Sequence, residues 1–286
     1  MPIPYVSVHG GHSGGYCGHA TDQLTDIVAR YAEAGFEWVC LTEHMPSPSE
    51  AMMAPEEAKN GFTVDSWRKN FSDYMAEARR LKSKYAGRMD ILVGFETDAY
   101  SGYQDAVASL IEEYEPDMIV GSVHHVHDLY IDFDDDRYRE ATLLSGSIEQ
   151  LYCDYFDKQL ELIERFEPAV VGHFDLIHLL DEDYHVRWEV PEIMERALRN
   201  LDRIRELGLI LDLNMRAMKK GASEPYISAP YMEYAIANNI AMVPGDDAHG
   251  VNDVGGGFEE GLAVLIARGG STQWRKPEIG RHRLGL

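Results

Sequence analysis

Seven times along this chain a short run of β-branched or apolar residues ends in a polar one and gives way to helical periodicity. The runs are Tyr5–His9, Trp38–Glu43, Ile91–Glu96, Met118–His124, Ala169–His173, Leu209–Asn214 and Ala241–Asp246. Such alternation predicts a mostly parallel sheet. Parallel neighbours cannot be joined by a tight turn; they need a crossover, and strand twist makes that crossover right-handed. After Thr21, read as an N-cap, apolar residues fall at Leu24, Ile27, Val28, Tyr31 and Ala32, and Gly35 marks the stop. Ile148, Leu151, Tyr152, Tyr155, Leu162 and Ile163 mark another helix, and both apolar faces read as core packing. Seven units in 286 residues approach the roughly 250 residues of a typical eight-stranded barrel, so the expected fold is α/β, a (β/α)7 barrel. An open doubly wound sheet is the alternative, weakened by the lack of a G-x-G-x-x-G or P-loop pattern. No linker, repeat or low-complexity segment interrupts the chain, which reads as one domain over 1–286.

The strand ends carry the chemistry. In order they offer His9, Glu43-His44, Glu96, His124-His125, His173 with Asp175, Asn214, and Asp246-Asp247 with His249. In a parallel barrel the carboxyl ends of the strands form one rim, where active sites are built. Of twelve histidines, eight lie on this rim or in the opening loop VHGGHSGGYCGHAT (residues 8–21), which adds His12 and His19. One histidine there would be ordinary packing or surface; eight converging on one face are not explained by packing. The five glycines of the loop imply a backbone that bends tightly or approaches something closely. Nitrogen and carboxylate donors without paired thiolates suit Zn2+, Mn2+ or Fe2+. About nine ligands exceed the needs of one tetrahedral ion, so two or three divalent ions are expected. Cys17 reads as a loop residue, with a soft metal ligand as the other reading.

Charge narrows the partners. Asp and Glu number 49 against 26 Lys and Arg, a formal charge of −23, and no basic run offsets it. Such a surface repels nucleic acid. It is also unpromising for a phosphorylated small molecule unless bound cations reverse the local sign. Three scattered cysteines, Cys17, Cys40 and Cys153, suit a reducing compartment. Neither a signal peptide nor an 18-residue apolar run is visible, so a cytoplasmic protein with no membrane contact is expected.

These motifs resemble those of the PHP (polymerase and histidinol phosphatase) superfamily, specifically its monofunctional histidinol-phosphate phosphatases. The matching stretches run along almost the whole chain: HSGGYCGHATDQL, CLTEHMP, GFETD, VGSVHHVHDLYIDFD, VVGHFDL, LDLNMRA and GDDAHG. The resemblance implies a distorted (β/α)7 TIM-like barrel holding three metals. The first would take His9, His12, Glu96 and Asp247; the second would share Glu96 and add His124 and His173; the third would take His19, His44 and His249. One departure stands out. The family opens with His-x-His, whereas position 10 here is Gly10 and the nearest histidine is His9. His-x-x-His cannot put both rings on one strand face without a bulge, which Gly10 and Gly11 could supply.

The implied chemistry is hydrolysis of L-histidinol phosphate, a step of histidine biosynthesis, by attack of a metal-bound hydroxide on phosphorus. Glu96, Asp247 and His249 would serve the reaction, with Asp247 both coordinating and managing the proton. His125, Arg216 and Lys219 would face the substrate, the two cations serving the phosphate; Arg216 stands where the family has a small residue. Glu43, Asp98 or Asp175 could meet the substrate's amine. Other readings are a PHP phosphoesterase for another small phosphomonoester such as a nucleotide, a nucleic-acid-processing PHP module, and a metal-dependent amidohydrolase. The last lacks its usual strand-end lysine here.

Overall fold

The computed structural model describes residues 2–284. In chain order the strands are β1 (Val6–Ser7), β2 (Trp38–His44), β3 (Asp90–Glu96), β4 (Met118–Gly121), β5 (His125–Val126), β6 (Leu129–Tyr130), β7 (Val170–Val171), β8 (Ile210–Asn214) and β9 (Ala241–Gly245). Seven of them form one parallel sheet in the order β1-β2-β3-β4-β7-β8-β9. The two ends meet where Val8 N donates to Pro244 O at 2.9 Å, so the sheet curls into a nearly closed barrel. The expected seven-stranded barrel is therefore present, and the open-sheet alternative is not.

Period-2 alternation divides the strands between two apolar regions. Trp38 and Cys40 of β2, Leu92 of β3, Val120 of β4 and Val243 of β9 pack together inside the barrel. Val39, Leu41, Ile91, Val93 and Leu211 face outward into a larger core shared with the helices. The same alternation runs on to the strand ends. Following Leu92 by steps of two leads through Gly94 to Glu96, so the interior face turns from apolar to acidic at the carboxyl rim.

Several boundaries move. The first expected strand pairs over only two residues, since Gly10 and Gly11 bend the chain out of the ladder; Gly11 has φ 82°, in the left-handed region. The helix expected after Thr21 starts at Leu24, with Gln23 rather than Thr21 at its N-cap. Thr21 instead ties the opening loop to the last one, its N donating to His249 O at 2.7 Å. The helix containing Ile148 runs Ile148–Phe166, and the Ser147 side chain caps it by accepting from Gln150 N. The β5–β6 hairpin over the rim has no counterpart in the sequence reading. Its turn residues His127 and Asp128 take left-handed φ values of 55° and 61° without a glycine, so the usual Asn-Gly or Asp-Gly cue is missing. None of the described helices is long and apolar enough to cross a membrane.

Candidate metal centre

Glu96, at the interior end of β3, is the hub. Its carboxylate lies 3.2 Å from His9 Nε2, 3.0 Å from His44 Nδ1, 2.9 Å from His173 Nε2 and 3.4 Å from His124 Nε2. These histidines leave β1, β2, β7 and β4, so four crossovers must form before the group exists. Asp247, just past β9, closes the other side, 3.4 Å from His12 Nε2. Its φ of 48° is left-handed for a non-glycine residue, and its N donates to His9 O at 2.9 Å. Such strained backbone is held only where surrounding contacts over-determine it.

Four groups bring ligand atoms within 4.8 Å of one another: His9, Glu96 and His173; His9, His12 and Asp247; His12, His44 and His249; and Cys17, His19 and His44. The histidines expected for the third ion lie together, with ring centroids of His19 5.0 Å from both His44 and His249, and His44 5.9 Å from His249. His12 stacks between them, 4.4 Å from His44 and 4.3 Å from His249. The His9–Gly10–Gly11–His12 bulge brings His9 and His12 to 5.6 Å despite the altered spacing. Cys17, buried beside this group, has Sγ 3.2 Å from His19 Nδ1.

Burial and charge set the protonation states. Burial alone would raise the Glu96 pKa, but the His9, His124 and His44 imidazoles outweigh it and hold the carboxyl well below its usual range. Asp247 is also lowered: burial opposes ionisation, and His9, Arg216 and His12 overcome it. Burial drives His12 down to about 3 and His249 well below 6.5. His9 and His124 go the other way; burial lowers them, but Glu96 with Asp247 or Asp98 raises both well above 6.5. Carboxylates behind the rings turn them: Asp212 Oδ2 is 2.8 Å from His9 Nδ1, Glu43 Oε1 3.4 Å from His12 Nδ1 and Glu57 Oε1 3.2 Å from His19 Nδ1. His9 Nε2 and His12 Nε2, on the far side of those rings, and His44 Nε2, whose Nδ1 faces Glu96, are buried without a hydrogen-bond partner among the described residues. Buried nitrogens are normally satisfied, and such exceptions beside two carboxylates suit a divalent-cation centre. The residues fit the ions expected of them.

The centre floors a cavity of about 320 Å3 lined also by Arg216, Lys220, Asp98, Asp132, Trp67 and Tyr130. Arg216 Nη1 donates to Asp247 O at 2.8 Å, which seats the guanidinium at the floor. Lys219 corrects the sequence reading. Its ammonium pairs with Asp253 and donates to Asn252 O at 2.9 Å, away from the cavity. Lys220 lines the cavity instead, because four residues on from Arg216 is one helical turn and the same face. His125 also differs. It is buried against Tyr130 with Nδ1 2.7 Å from Asp98 Oδ2, so it backs Asp98 and does not line the cavity. Of the three acids suggested for an amine, Asp98 lines the cavity, whereas Glu43 holds His12 and Asp175 accepts from Ser228 N at 2.9 Å. Glu57 was not foreseen: it sits in the short helix Pro55–Lys59, away from any strand end, and its only cue was Pro55 at a helix start.

Comparison with known proteins bears on this geometry. A family model for the PHP domain matches residues 10–216. A Schizosaccharomyces pombe protein named "Probable histidinol-phosphatase" is 34% identical over 259 residues, spanning 89% of this chain and 83% of its own. The crystal structure of the hisK protein of Listeria monocytogenes superposes with TM-score 0.77 at 26% identity, covering 89% of this chain and 99% of its own. Histidinol phosphate phosphatase from Lactococcus lactis, solved with zinc, L-histidinol and phosphate, shares the fold at TM-score 0.67 and 17% identity, covering 93% of this chain and 94% of its own. With its rim of histidines and carboxylates on a seven-stranded barrel, the chain belongs to the PHP domain family.

Proposed function

We propose that this chain is a metal-dependent phosphomonoesterase that hydrolyses L-histidinol phosphate to L-histidinol and phosphate, acting in the cytoplasm in histidine biosynthesis. The observation that carries the reading is the single rim cavity in which inward-facing imidazole nitrogens around Glu96 and Asp247 share space with Arg216 and Lys220. The 34% identity to a histidinol-phosphatase relative supplies the substrate. Three cysteines, all buried and unpaired, support the compartment.

His9, His12, Glu96 and Asp247 would hold a first ion, Glu96, His124 and His173 a second, and His19, His44 and His249 a third, as zinc, manganese or iron. When bound, such ions activate water for in-line attack and neutralise phosphoryl oxygens. The chain's own residues do the rest. Arg216 and Lys220 hold the phosphate oxygens and offset the formal charge of −23 at the one place where an anion must enter. Asp247, kept ionised by its surroundings, accepts the proton from the attacking water, and His249 beside it stabilises that carboxylate's setting. The water oxygen ends on phosphorus as the bond to the alcohol oxygen breaks, and the proton passes to the alkoxide. Asp98 and Asp132 meet the substrate's ammonium group, and Trp67 and Tyr130 flank its imidazole.

The test is a panel of phosphomonoesters offered to protein of known metal content. L-histidinol phosphate should exceed p-nitrophenyl phosphate in kcat/KM by about ten- to a hundredfold, the worth of one or two charge-assisted contacts. A nucleotide cleaved far better than histidinol phosphate would overturn the substrate and leave the metal phosphoesterase standing.

A further inference from the structure

The bulged opening motif raises a question of its own: how can His9 replace a histidine at position 10? Position 10 is closed. A Cβ there would come within 2.5 Å of Asp246 Oδ1 and 2.6 Å of Tyr31 Oη. The ring that reaches the centre comes from His9, fully buried, and something must aim it.

Asp212 stands directly behind that ring. It lies on β8, inside the barrel, two residues before the rim, and is itself fully buried. Its Oδ2 is 2.8 Å from His9 Nδ1 and accepts from Asn214 Nδ2 at 2.9 Å. Asn214 Nδ2 also lies 3.2 Å from Asp247 Oδ2, so one amide ties Asp212 to an expected ligand carboxylate. The opposite oxygen, Oδ1, points at Gly245, where a Cβ would come within 2.1 Å of it and 3.0 Å of His9 Cβ. Glycine at 245 is therefore what leaves room for the pair. A carboxylate sealed inside a barrel, with no Lys or Arg paired to it among the described residues, is costly, and a buried ion pair is poor evidence for stability. The one thing this arrangement does well is fix a tautomer. With Oδ2 accepting the proton on Nδ1, Nε2 is the nitrogen left to face the centre, 3.2 Å from Glu96, and the one that gives up its proton when a cation binds.

We propose that Asp212 is a positioning residue that holds His9 with its proton on Nδ1, so that Nε2 becomes the first ion's ligand in place of the histidine missing at position 10. Asp212 does not touch the ion; it acts through His9, as outer-shell carboxylates do for ligand histidines, where their loss costs about 10- to 100-fold in metal affinity. The inference rests on the reading of the centre as a metal site and is independent of which phosphoester is cleaved.

Three measurements on zinc-loaded, full-length protein decide it. In 15N-histidine spectra of the unmodified protein, with His9 assigned by the signals absent from His9→Gln, Nδ1 should carry the proton and Nε2 the zinc-shifted resonance. Zinc on Nδ1, or a His9 ring that zinc leaves unshifted, overturns the proposal without requiring any Asp212 variant to fold. Zinc competition titration of Asp212→Asn should show one class of site weakened about 10- to 100-fold, the others unchanged and the circular dichroism unaltered. In the double variant with His9→Gln, Asp212→Asn should add no more than about a twofold further loss, because its effect passes through His9. A further tenfold loss in that background would make Asp212 an independent contributor, and an Asp212→Asn protein with wild-type affinity at every site would make the contact merely structural.

Discussion

Glu96 is the residue on which most of the centre leans, since four imidazole nitrogens lie within 3.4 Å of its two oxygens. Glu96→Gln keeps the shape and removes the charge that those rings share. Retained zinc should fall by at least one equivalent and turnover by more than about 100-fold, the upper end for outer-shell losses; metal analysis and initial rates on one preparation check both. Proton linkage is a second consequence. In the ion-free protein His9 and His124 have pKa values raised well above 6.5, so near neutrality they carry protons that a cation must displace. His12, at about 3, and His249, lower still than usual, are already neutral and release none. Zinc affinity should therefore rise with pH up to the raised values of His9 and His124 and fall as pH drops, with proton release seen as a buffer-dependent binding enthalpy. A pH-independent affinity between pH 6 and 8 would contradict this. At this scale the sequence was readable wherever a strand end carried a histidine or carboxylate that the fold brings to the rim, as at Glu96, His124 and His173. It was silent on Glu57, which a short helix carries in from the side, and on Asp212, whose position inside β8 looks like any strand interior.

Among the elements, the turn after β8 shows how a one-residue shift decides a role. The helix Arg216–Lys219 is a single turn, so Lys220 falls over Arg216 while Lys219 swings to Asp253. Arg216→Ala should raise KM for every phosphomonoester by about 10- to 100-fold, the loss of one charge-assisted contact, and Lys220→Ala should act in the same direction. Lys219→Ala should leave KM within about twofold, since a partly exposed ion pair contributes little. Steady-state kinetics on two unrelated esters separates these outcomes. The family resemblance pointed to Lys219 and not to its neighbour Lys220. Which of the two turns inward depends on Asp253 and Asn252, some thirty residues away in the chain, and no local pattern records that. The β5–β6 hairpin was hidden for a different reason: its left-handed turn is built from His127 and Asp128, where a glycine would have been the signal.

Taken whole, the molecule is a ring of seven strands whose last member hydrogen-bonds back to its first, so no part of the rim is complete until the chain has come full circle. The expectation of one domain over residues 1–286 becomes a proposal about unfolding: a single cooperative thermal transition, with metal-loaded protein melting above chelated protein because the ions bind the native rim and not the dispersed ligands. Two separated calorimetric transitions would contradict it. Barrel architecture was legible because strand–helix alternation and strands tipped with histidine or carboxylate agree over the full length; strand ends were less so, since β1 stops at Ser7 and β4 at Gly121, before their apolar runs do. If the rim histidines and carboxylates form one multi-ion centre around Glu96, the ions themselves should be visible there. Anomalous diffraction at the zinc edge, from crystals grown with zinc, would locate them. Two or three peaks should appear at the carboxyl rim, about 2.0–2.3 Å from the imidazole nitrogens of His9, His12, His19, His44, His124, His173 and His249, with Glu96 bridging a pair. No peak at the rim, or a lone ion bound away from Glu96, would contradict such a centre.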